Sequence, residues 1–186
     1  MRVSAGYAPS NHAIMETMLG GWNLLVKKAF QSLGYGFPDT FFRGRSLDIG
    51  CGTGFLTAAL QDGRIDAYGI DPDRDATEYG IKHYKPRNPR NLIVGSMASL
   101  PFKDETFYTV TTCNLSDVVN GNIGTRIPFP KEEKPNASRE LYRVLERGGL
   151  YMAFDEDIPF DLPEDMTLIY ENHPRWTVFR IWQKRL

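Results

Sequence analysis

Three glycines follow a short apolar run that contains an acidic residue, in the stretch "SLDIGCGTGF" from Ser46 to Phe55. The glycines stand at positions 50, 52 and 54. Glycine lets a backbone turn sharply and approach a ligand closely, and a helix that starts after such a turn presents free N–H groups. The pattern therefore predicts a site for a nucleotide-like ligand, with or without phosphate.

The residues around this turn argue against a phosphate. The dinucleotide fingerprint needs a glycine three places after Gly52, where Phe55 stands. A Walker loop needs Gly-Lys-Ser/Thr, and no Lys or Arg occurs between Arg45 and Arg64. Asp48, at the end of the predicted strand, would repel an anion further. A phosphate would find backbone donors but no cation to balance its charge.

Two carboxylates instead fit a ligand that carries an amino acid and a ribose. Asp48 can receive an ammonium group while N–H groups of the turn receive a carboxylate. Asp71 stands seventeen residues after Gly54, where it can accept two hydrogen bonds from a ribose diol. The alternative is that Asp71 and Pro72 only open a turn and the glycines only form a tight corner. The presence of both features at this separation favours the ligand site.

Alternating strands and helices are expected to position these residues. An apolar stripe predicts a helix over 11–33, ahead of the glycine turn. Later helices are predicted up to residue 60, partly over 73–85, and over 137–149. Strands are predicted at 46–49, 65–71, 92–96, 107–115, 150–156, 166–171 and 176–183. The order predicts a parallel, helix-covered sheet with a final antiparallel pair, and a ligand at the carboxyl ends of its strands.

The composition predicts one soluble domain. The chain has 186 residues, 41% hydrophobic and 24% charged, with a formal net charge of −1, which disfavours nucleic acid and acidic membranes as partners. Cys51 and Cys113 cannot form a disulfide framework and have no metal-ligand spacing, so we expect a reduced, cytoplasmic compartment and no metal. No apolar stretch has the length of a leader core or a membrane span.

Four stretches carry a family resemblance: "LDIGCGTG", "GIDPD", "GSMASLPFKDETFYTVTTCNLSDVV" and "RELYRVLERGGLY". In this order they resemble motifs of the class I S-adenosylmethionine-dependent methyltransferases, most of all the methyltransferase type 11 branch. The resemblance implies an α/β, Rossmann-like sandwich: a mostly parallel seven-stranded sheet with an antiparallel C-terminal hairpin and helices on both faces. We predict a single methyltransferase domain with an N-terminal helical cap (1–45), a cofactor-binding core (46–154) and a strand hairpin (155–186).

The same resemblance implies the cofactor and its contacts. S-adenosylmethionine would be bound and S-adenosylhomocysteine released. The methionine part would be held by Asp48, Gly50, Cys51 and Gly52. The ribose would be bound by Asp71, the adenine would be flanked by Pro72 and Met97, and Asn114 would close over the methionyl side.

Three residues depart from the family pattern. Ser96 stands where an acidic residue commonly bonds the adenine amino group, although its hydroxyl or backbone can still do so. Tyr108 stands where an Asp is usual, and Arg147 where a Pro is usual before two glycines. These departures leave open a protein that binds the cofactor, or a partner protein, without turnover.

The acceptor is predicted to be a small molecule methylated at O or N, and the protein a monomer or homodimer. The alternative is a protein or nucleic-acid methyltransferase of the same fold. A hydroxyl acceptor benefits from a general base, and an amine must be neutral. The candidates are Tyr7, His12 and Asp117, for which a surface tyrosine, a helix residue and a chain cap are the respective alternatives. Cys51 and Cys113 are interpreted as small buried residues rather than nucleophiles.

Overall fold

The structure, a computed structural model, describes residues 29, 31, 32, 44–113, 130–154, 160–173 and 178–186. The chain divides into two compact units, residues 1–41 and residues 42–186. In the first unit residues 29, 31 and 32 are helical, as predicted, and the rest of the predicted helix lies outside the described residues. The second unit contains the sheet and the glycine turn.

Seven strands form one sheet in the order β3-β2-β1-β4-β5-β7-β6. Strands β1 to β5 pair in parallel, and β7 pairs antiparallel with both β5 and β6. This confirms the predicted mostly parallel sheet with its antiparallel C-terminal strands. The strands are β1 (Arg45–Ile49), β2 (Asp66–Asp71), β3 (Leu92–Val94), β4 (Phe107–Cys113), β5 (Leu145–Phe154), β6 (Met166–Asn172) and β7 (Phe179–Lys184).

Three helices of this unit are described: α1 (Phe55–Asp62), α2 (Arg74–Tyr84) and α3 (Lys134–Val144). The chain moves from β1 towards β2 and β3 through α1 and α2, and from β4 outwards to β5 through α3. Right-handed crossovers therefore place α1 and α2 on one face of the sheet and α3 on the other. Strand order reverses between β1 and β4, so the carboxyl ends of these strands border the crevice where such sheets bind ligands.

Helix α3 ends earlier than the sequence predicted. The apolar spacing suggested a helix over 137–149, but the helix covers Lys134–Val144 and strand β5 begins at Leu145. The backbone N–H groups of Glu105 and Thr106 donate to the carbonyls of Arg143 and Val144, at 2.9 Å each. Because the segment before β4 takes up these carbonyls, the chain turns into the sheet at Leu145, which pairs with Phe107.

Lys184, at the end of β7, is tied to the same corner. The residue is 5% exposed, and its Nζ donates to the carbonyls of Tyr142 and Leu145 at 3.0 and 2.7 Å. Lysine can donate three hydrogen bonds, and a cation near the last carbonyls of a helix also interacts favourably with the helix dipole. Strand β7 therefore caps the carboxyl end of α3 as well as joining the sheet.

The hydrophobic core lies between the sheet and α3. Its buried members include Leu47, Ile49, Ile70, Phe107, Val110, Leu141, Leu145, Tyr151 and Trp182. Burying large aliphatic and aromatic side chains supplies the main stabilisation of such a fold, about 1.5–3 kcal/mol for each side chain. Among the described residues, no helix is long and apolar enough to cross a membrane.

Candidate cofactor site

The glycine turn joins β1 to α1 in a left-handed backbone conformation. Gly50, Gly52 and Gly54 have φ angles of 72°, 54° and 71°. The N–H groups of Gly50 and Cys51 both donate to the carbonyl of Ile70 in β2, at 2.9 and 3.1 Å. The turn is therefore fixed to the neighbouring strand and closed by glycines whose positive φ angles other residues rarely adopt.

Two of these glycines have different surroundings. A Cβ on Gly54 would lie 2.4 Å from the Leu92 side chain, so this glycine is needed for packing against β3. Among the described residues, none has an atom within 4 Å of a Cβ placed on Gly52. These residues thus leave room beside Gly52 at the carboxyl end of β1, where a ligand could approach the backbone.

Asp71 connects the glycine turn to the end of β2. Its Oδ2 accepts the Gly52 N–H and its Oδ1 accepts the Asp73 N–H, both at 2.8 Å. Burial raises the pKa of this carboxyl, while the two N–H donors oppose the change. A carboxylate has about four lone-pair sites, so Asp71 retains acceptor capacity for a diol beyond these two bonds.

Asp48 is a buried acid beneath the turn. Asp48 is only 4% exposed. Its carboxylate accepts hydrogen bonds from Thr111 Oγ1 at 3.1 Å and from Thr57 Oγ1 at 3.4 Å. Burial raises its pKa from 3.8 to about 7, against the two hydroxyl donors, and the charge of Asp71 adds to the rise. A positive group brought next to Asp48 would favour its ionised form.

Cys51 lies between these acids in sequence and carries a thiol that stays protonated near neutral pH. Burial raises the pKa of the Cys51 thiol well above its ordinary value, and the carboxylates of Asp48 and Asp71 raise it further. The nucleophilic form of cysteine is the thiolate. These surroundings argue against Cys51 as a nucleophile, but Cys51 and Cys113 are both half-buried rather than buried as predicted.

The predicted adenine side is formed where β3 ends beside β2. The N–H of Gly95 donates to the carbonyl of Asp71 at 3.0 Å, which brings the following residues next to the β2 end. Ser96 is exposed and its Oγ accepts the Ala98 N–H at 3.1 Å. Met97 is 8% exposed and packs in the hydrophobic core, whereas Pro72 is exposed.

The other two departures from the family pattern lie away from this edge. Tyr108 is the second residue of β4 and is buried. Arg147 lies early in β5, is 72% exposed, and its Nε forms a 3.2 Å ion pair with Glu105. Both therefore stand near the amino ends of parallel strands, at the opposite edge of the sheet from the glycine turn.

Several predicted residues lie outside the described residues: Tyr7, His12, Asn114 and Asp117. The roles assigned to them, and the ligand contacts assigned to the other site residues, stay predictions.

Within the described ranges, no three His, Cys, Asp or Glu side chains form a group that could hold a metal ion.

Sequence reasoning missed the two threonines that hold Asp48. Asp48 and Thr111 are direct partners in the parallel β1–β4 register, and Thr57 lies in the first turn of α1. The alternation in "TVTTC" indicated that Thr109 and Thr111 share a face, but only the register shows which residue they meet. Gly80, Glu133, Glu140 and Arg143, considered below, were also missed.

Comparison with known proteins agrees with this fold. The sequence profile of the methyltransferase domain family matches residues 47–153, more than half of the chain. The chain belongs to this family. The predicted methyltransferase family and its class I fold are therefore confirmed.

Relatives of known name are distant. The chain is 30% identical over 121 residues to a demethylmenaquinone methyltransferase of Anoxybacillus flavithermus, covering 62% of this chain and 46% of that protein. It is 29% identical over 126 residues to a demethylmenaquinone methyltransferase of Symbiobacterium thermophilum, covering 61% of this chain and 43% of that protein. The matched segment thus spans less than half the length of these two relatives.

Two solved structures share the fold. The PH0226 protein from Pyrococcus horikoshii superposes with a TM-score of 0.64 at 18% identity, over 96% of this chain and 92% of that one. A SAM-dependent methyltransferase from Methanosarcina mazei superposes with a TM-score of 0.55 at 18% identity, over 76% of this chain and 92% of that one. At these identities the likeness concerns the fold alone.

Proposed function

We propose that this chain transfers a methyl group from S-adenosylmethionine to O or N of a small-molecule acceptor. The observation that supports it best is the arrangement at the carboxyl ends of β1 and β2. A buried acid, Asp48, and a second carboxylate, Asp71, flank a glycine turn in which the described residues leave room beside Gly52. The family membership of residues 47–153 supports the same donor.

The N–H groups of Gly50, Cys51 and Gly52 already donate to the Ile70 carbonyl and to Asp71, so the turn would meet the donor through close approach of its backbone rather than through these three groups. Asp48, Gly50, Cys51 and Gly52 would hold the methionine part, with Asp48 balancing its ammonium charge. Asp71 would accept hydrogen bonds from the ribose hydroxyls. Pro72, Ser96 and Met97 would border the adenine, and Asn114 would close over the methionyl side. When bound, S-adenosylmethionine supplies a methyl group made electrophilic by its sulfonium.

The protein's own contribution would be to position the reactants and to exclude water. Holding an acceptor in line with a methyl group avoids much of the entropic cost of a bimolecular step. Asp48 and Asp71 are both fixed by hydrogen bonds from the protein, so the donor would meet a preformed site. Tyr7, His12 and Asp117 are the residues we propose to test as bases or as contacts to the acceptor.

The acceptor class rests on the named relatives. Both carry the name of a small molecule, demethylmenaquinone, which supports a small-molecule acceptor here. The formal net charge of −1 offers no general attraction to nucleic acid. A cytoplasmic location and a monomeric or homodimeric state are proposed on the sequence alone.

Donor binding can be measured directly by isothermal titration with S-adenosylhomocysteine. We expect the wild type to bind, and Asp71→Ala to weaken binding at least about tenfold, because a hydrogen bond to a charged group contributes roughly 1.5–3 kcal/mol. Asp62→Ala is the matched control, since this carboxylate is 73% exposed at the end of α1. Absence of binding by the wild type would contradict the proposal.

Acceptor class can be tested with the labelled donor. Purified protein, S-adenosylmethionine with a labelled methyl group and a cell lysate should give label in the small-molecule fraction. Label that appears only in protein or nucleic acid would reject the small-molecule acceptor while keeping the methyltransferase. A metabolite screen with the same donor would then identify the acceptor.

A further inference from the structure

The residue that follows β3 has a carboxylate beside it that comes from another element. Ser96 Oγ lies 3.5 Å from Oε2 of Glu133, in a direction that lets the hydroxyl donate. Glu133 closes the short 3-10 turn Lys131–Glu133 immediately before α3. Thirty-seven residues separate the two in sequence, so this contact is made by the fold.

The hydrogen-bonding capacity of this pair is unequal. A serine hydroxyl has one proton and two lone pairs. One lone pair of Ser96 accepts the Ala98 N–H, and the proton faces Glu133. Ser96 therefore keeps one lone pair that could accept a further hydrogen bond, and this acceptor is neutral. The Glu133 carboxylate has several lone pairs that could accept one. Hydrogen bonds to an ionised acceptor are about twice as strong as those between neutral groups.

Glu133 is held in place relative to Ser96 by contacts farther along α3. The Glu140 carboxylate accepts the Leu100 N–H at 2.7 Å. Arg143 donates to the carbonyls of Leu100 and Phe102, at 3.1 and 2.7 Å. Glu133 contacts Ser96 and Glu140 contacts Leu100, so both carboxylates face the segment after β3. The segment after β3 is therefore contacted at Ser96 by Glu133, just before α3, and farther along by Glu140 and Arg143 of α3.

We propose that Glu133 is the residue that recognises the adenine amino group, with Ser96 as its hydrogen-bonded neighbour. The inference rests on the proposed function, which puts the adenine beside Pro72 and Ser96. An amino group on the purine ring donates hydrogen bonds and needs an acceptor at this edge. The segment after β3 supplies a hydroxyl that is already engaged, and the 3-10 turn before α3 brings in the carboxylate that this segment does not carry.

The proposal accounts for Ser96 as a departure from the family pattern. The carboxylate would be supplied in space rather than at the same place in the sequence. Glu133 is half-buried and precedes a helix, where a negative side chain is also favoured by the helix dipole. Selectivity for adenine over other purines would then depend on α3 as well as on the strand ends.

The test compares two ligands by isothermal titration: S-adenosylhomocysteine and its 6-deamino analogue, in which hydrogen replaces the amino group. The wild type should bind S-adenosylhomocysteine at least about tenfold more tightly. Glu133→Ala should weaken S-adenosylhomocysteine to the level of the analogue and leave the analogue's affinity unchanged. Glu133→Gln, which keeps a neutral acceptor, should give an intermediate ratio.

Matched variants separate recognition from a general effect on folding. Glu132→Ala removes the neighbouring exposed carboxylate of the same turn and should keep the wild-type ratio. Adding Ser96→Asp to Glu133→Ala should restore the ratio, because it returns a carboxylate to this edge. A wild-type ratio in Glu133→Ala, or an equal loss for both ligands, would overturn the assignment. If the wild type binds neither ligand, the proposed function fails first and this inference with it.

Discussion

Gly80 of α2 lies directly against the backbone of Thr53 in the glycine turn. A Cβ placed on Gly80 would stand 1.6 Å from the Thr53 carbonyl oxygen and 2.7 Å from its carbonyl carbon. Backbone atoms cannot swing aside as a flexible side chain can. Helix α2 therefore supports the turn from behind at a separation that only glycine permits.

Gly80→Ala should destabilise the protein, even though alanine is the better helix former by about 1 kcal/mol. Overpacking typically costs about 1–3 kcal/mol, and here the clash is with backbone. We expect a lower free energy of unfolding in urea and weaker binding of S-adenosylhomocysteine, because the turn must shift. Lys82→Ala, on the exposed side of the same helix, should change stability by less than about 0.5 kcal/mol. Unchanged stability in Gly80→Ala would disprove the packing argument.

Asp48 should make the protein less stable as the pH rises. Folding raises its pKa from 3.8 to about 7, so the native state holds this proton more tightly than the unfolded state does. The free energy of unfolding should therefore fall between about pH 4 and pH 7 and level off above that range. Asp48→Asn should remove this part of the slope and be more stable than the wild type at pH 8, with little difference at pH 4.

Urea unfolding at pH 4, 6 and 8 measures this effect. Asp62→Asn, an exposed acid at the end of α1, serves as the control and should keep the wild-type slope. Parallel stability curves for the wild type and Asp48→Asn would show that Asp48 titrates normally in the folded protein.

Donor binding should also release a proton through Asp48. An ammonium group next to this carboxyl favours its ionised form, so at about pH 6.5 the bound protein should hold fewer protons than the free protein. Titration of S-adenosylhomocysteine in buffers of different ionisation enthalpy should reveal this release in the wild type. The Asp48→Asn variant should show less. Equal proton release from both would place the ammonium away from Asp48.

Arg143 should be replaceable by lysine only at a loss of stability. Its guanidinium donates to Leu100 O, Phe102 O, Asp104 and Glu140 at once, and its side chain is 26% exposed. A lysine ammonium cannot reproduce this planar fork. We expect Arg143→Lys to lower the free energy of unfolding by about 1–3 kcal/mol, since partly buried carbonyls lose their donors.

Arg147→Lys is the matched control for Arg143, because among the described residues Arg147 makes one ion pair, an exposed one with Glu105. Such pairs contribute about 0–1 kcal/mol, so this variant should be near wild type in urea unfolding. If the two variants lose the same amount, the bonds from Arg143 to the segment after β3 do not hold it in place.

Much of the fold could be predicted because the signals were local. A turn is predicted by the glycines at 50, 52 and 54, and strands are predicted by runs of β-branched residues. Both signals lie within a few neighbouring residues. The end of α3 could not be predicted in this way, because it depends on Glu105 and Thr106, about forty residues earlier, taking its last carbonyls. Apolar periodicity indicates which face of a helix is buried. It does not indicate whether another segment binds the last carbonyls of the helix.

The site was predictable to a similar extent. Asp48 and Asp71 could be predicted as site residues because each stands at the end of a strand, Asp48 just before the glycine turn and Asp71 just before Pro72. Their supports, Thr57 and Thr111, depend on strand register and helix approach. Glu133 contacts Ser96 although it follows β4 in the sequence and Ser96 precedes it. The residues near Ser96 therefore do not predict this contact.

The position of β7 has a consequence for synthesis on the ribosome. Strand β6 is made before β7, yet β7 lies between β5 and β6 in the sheet. Until Phe179–Lys184 has emerged, β6 has no strand to pair with and the outer edge of β5 stays open. Unpaired strand edges are the surfaces through which chains aggregate. A nascent chain paused in this interval would be the form most in need of a chaperone, and β7 would close both edges in a single step.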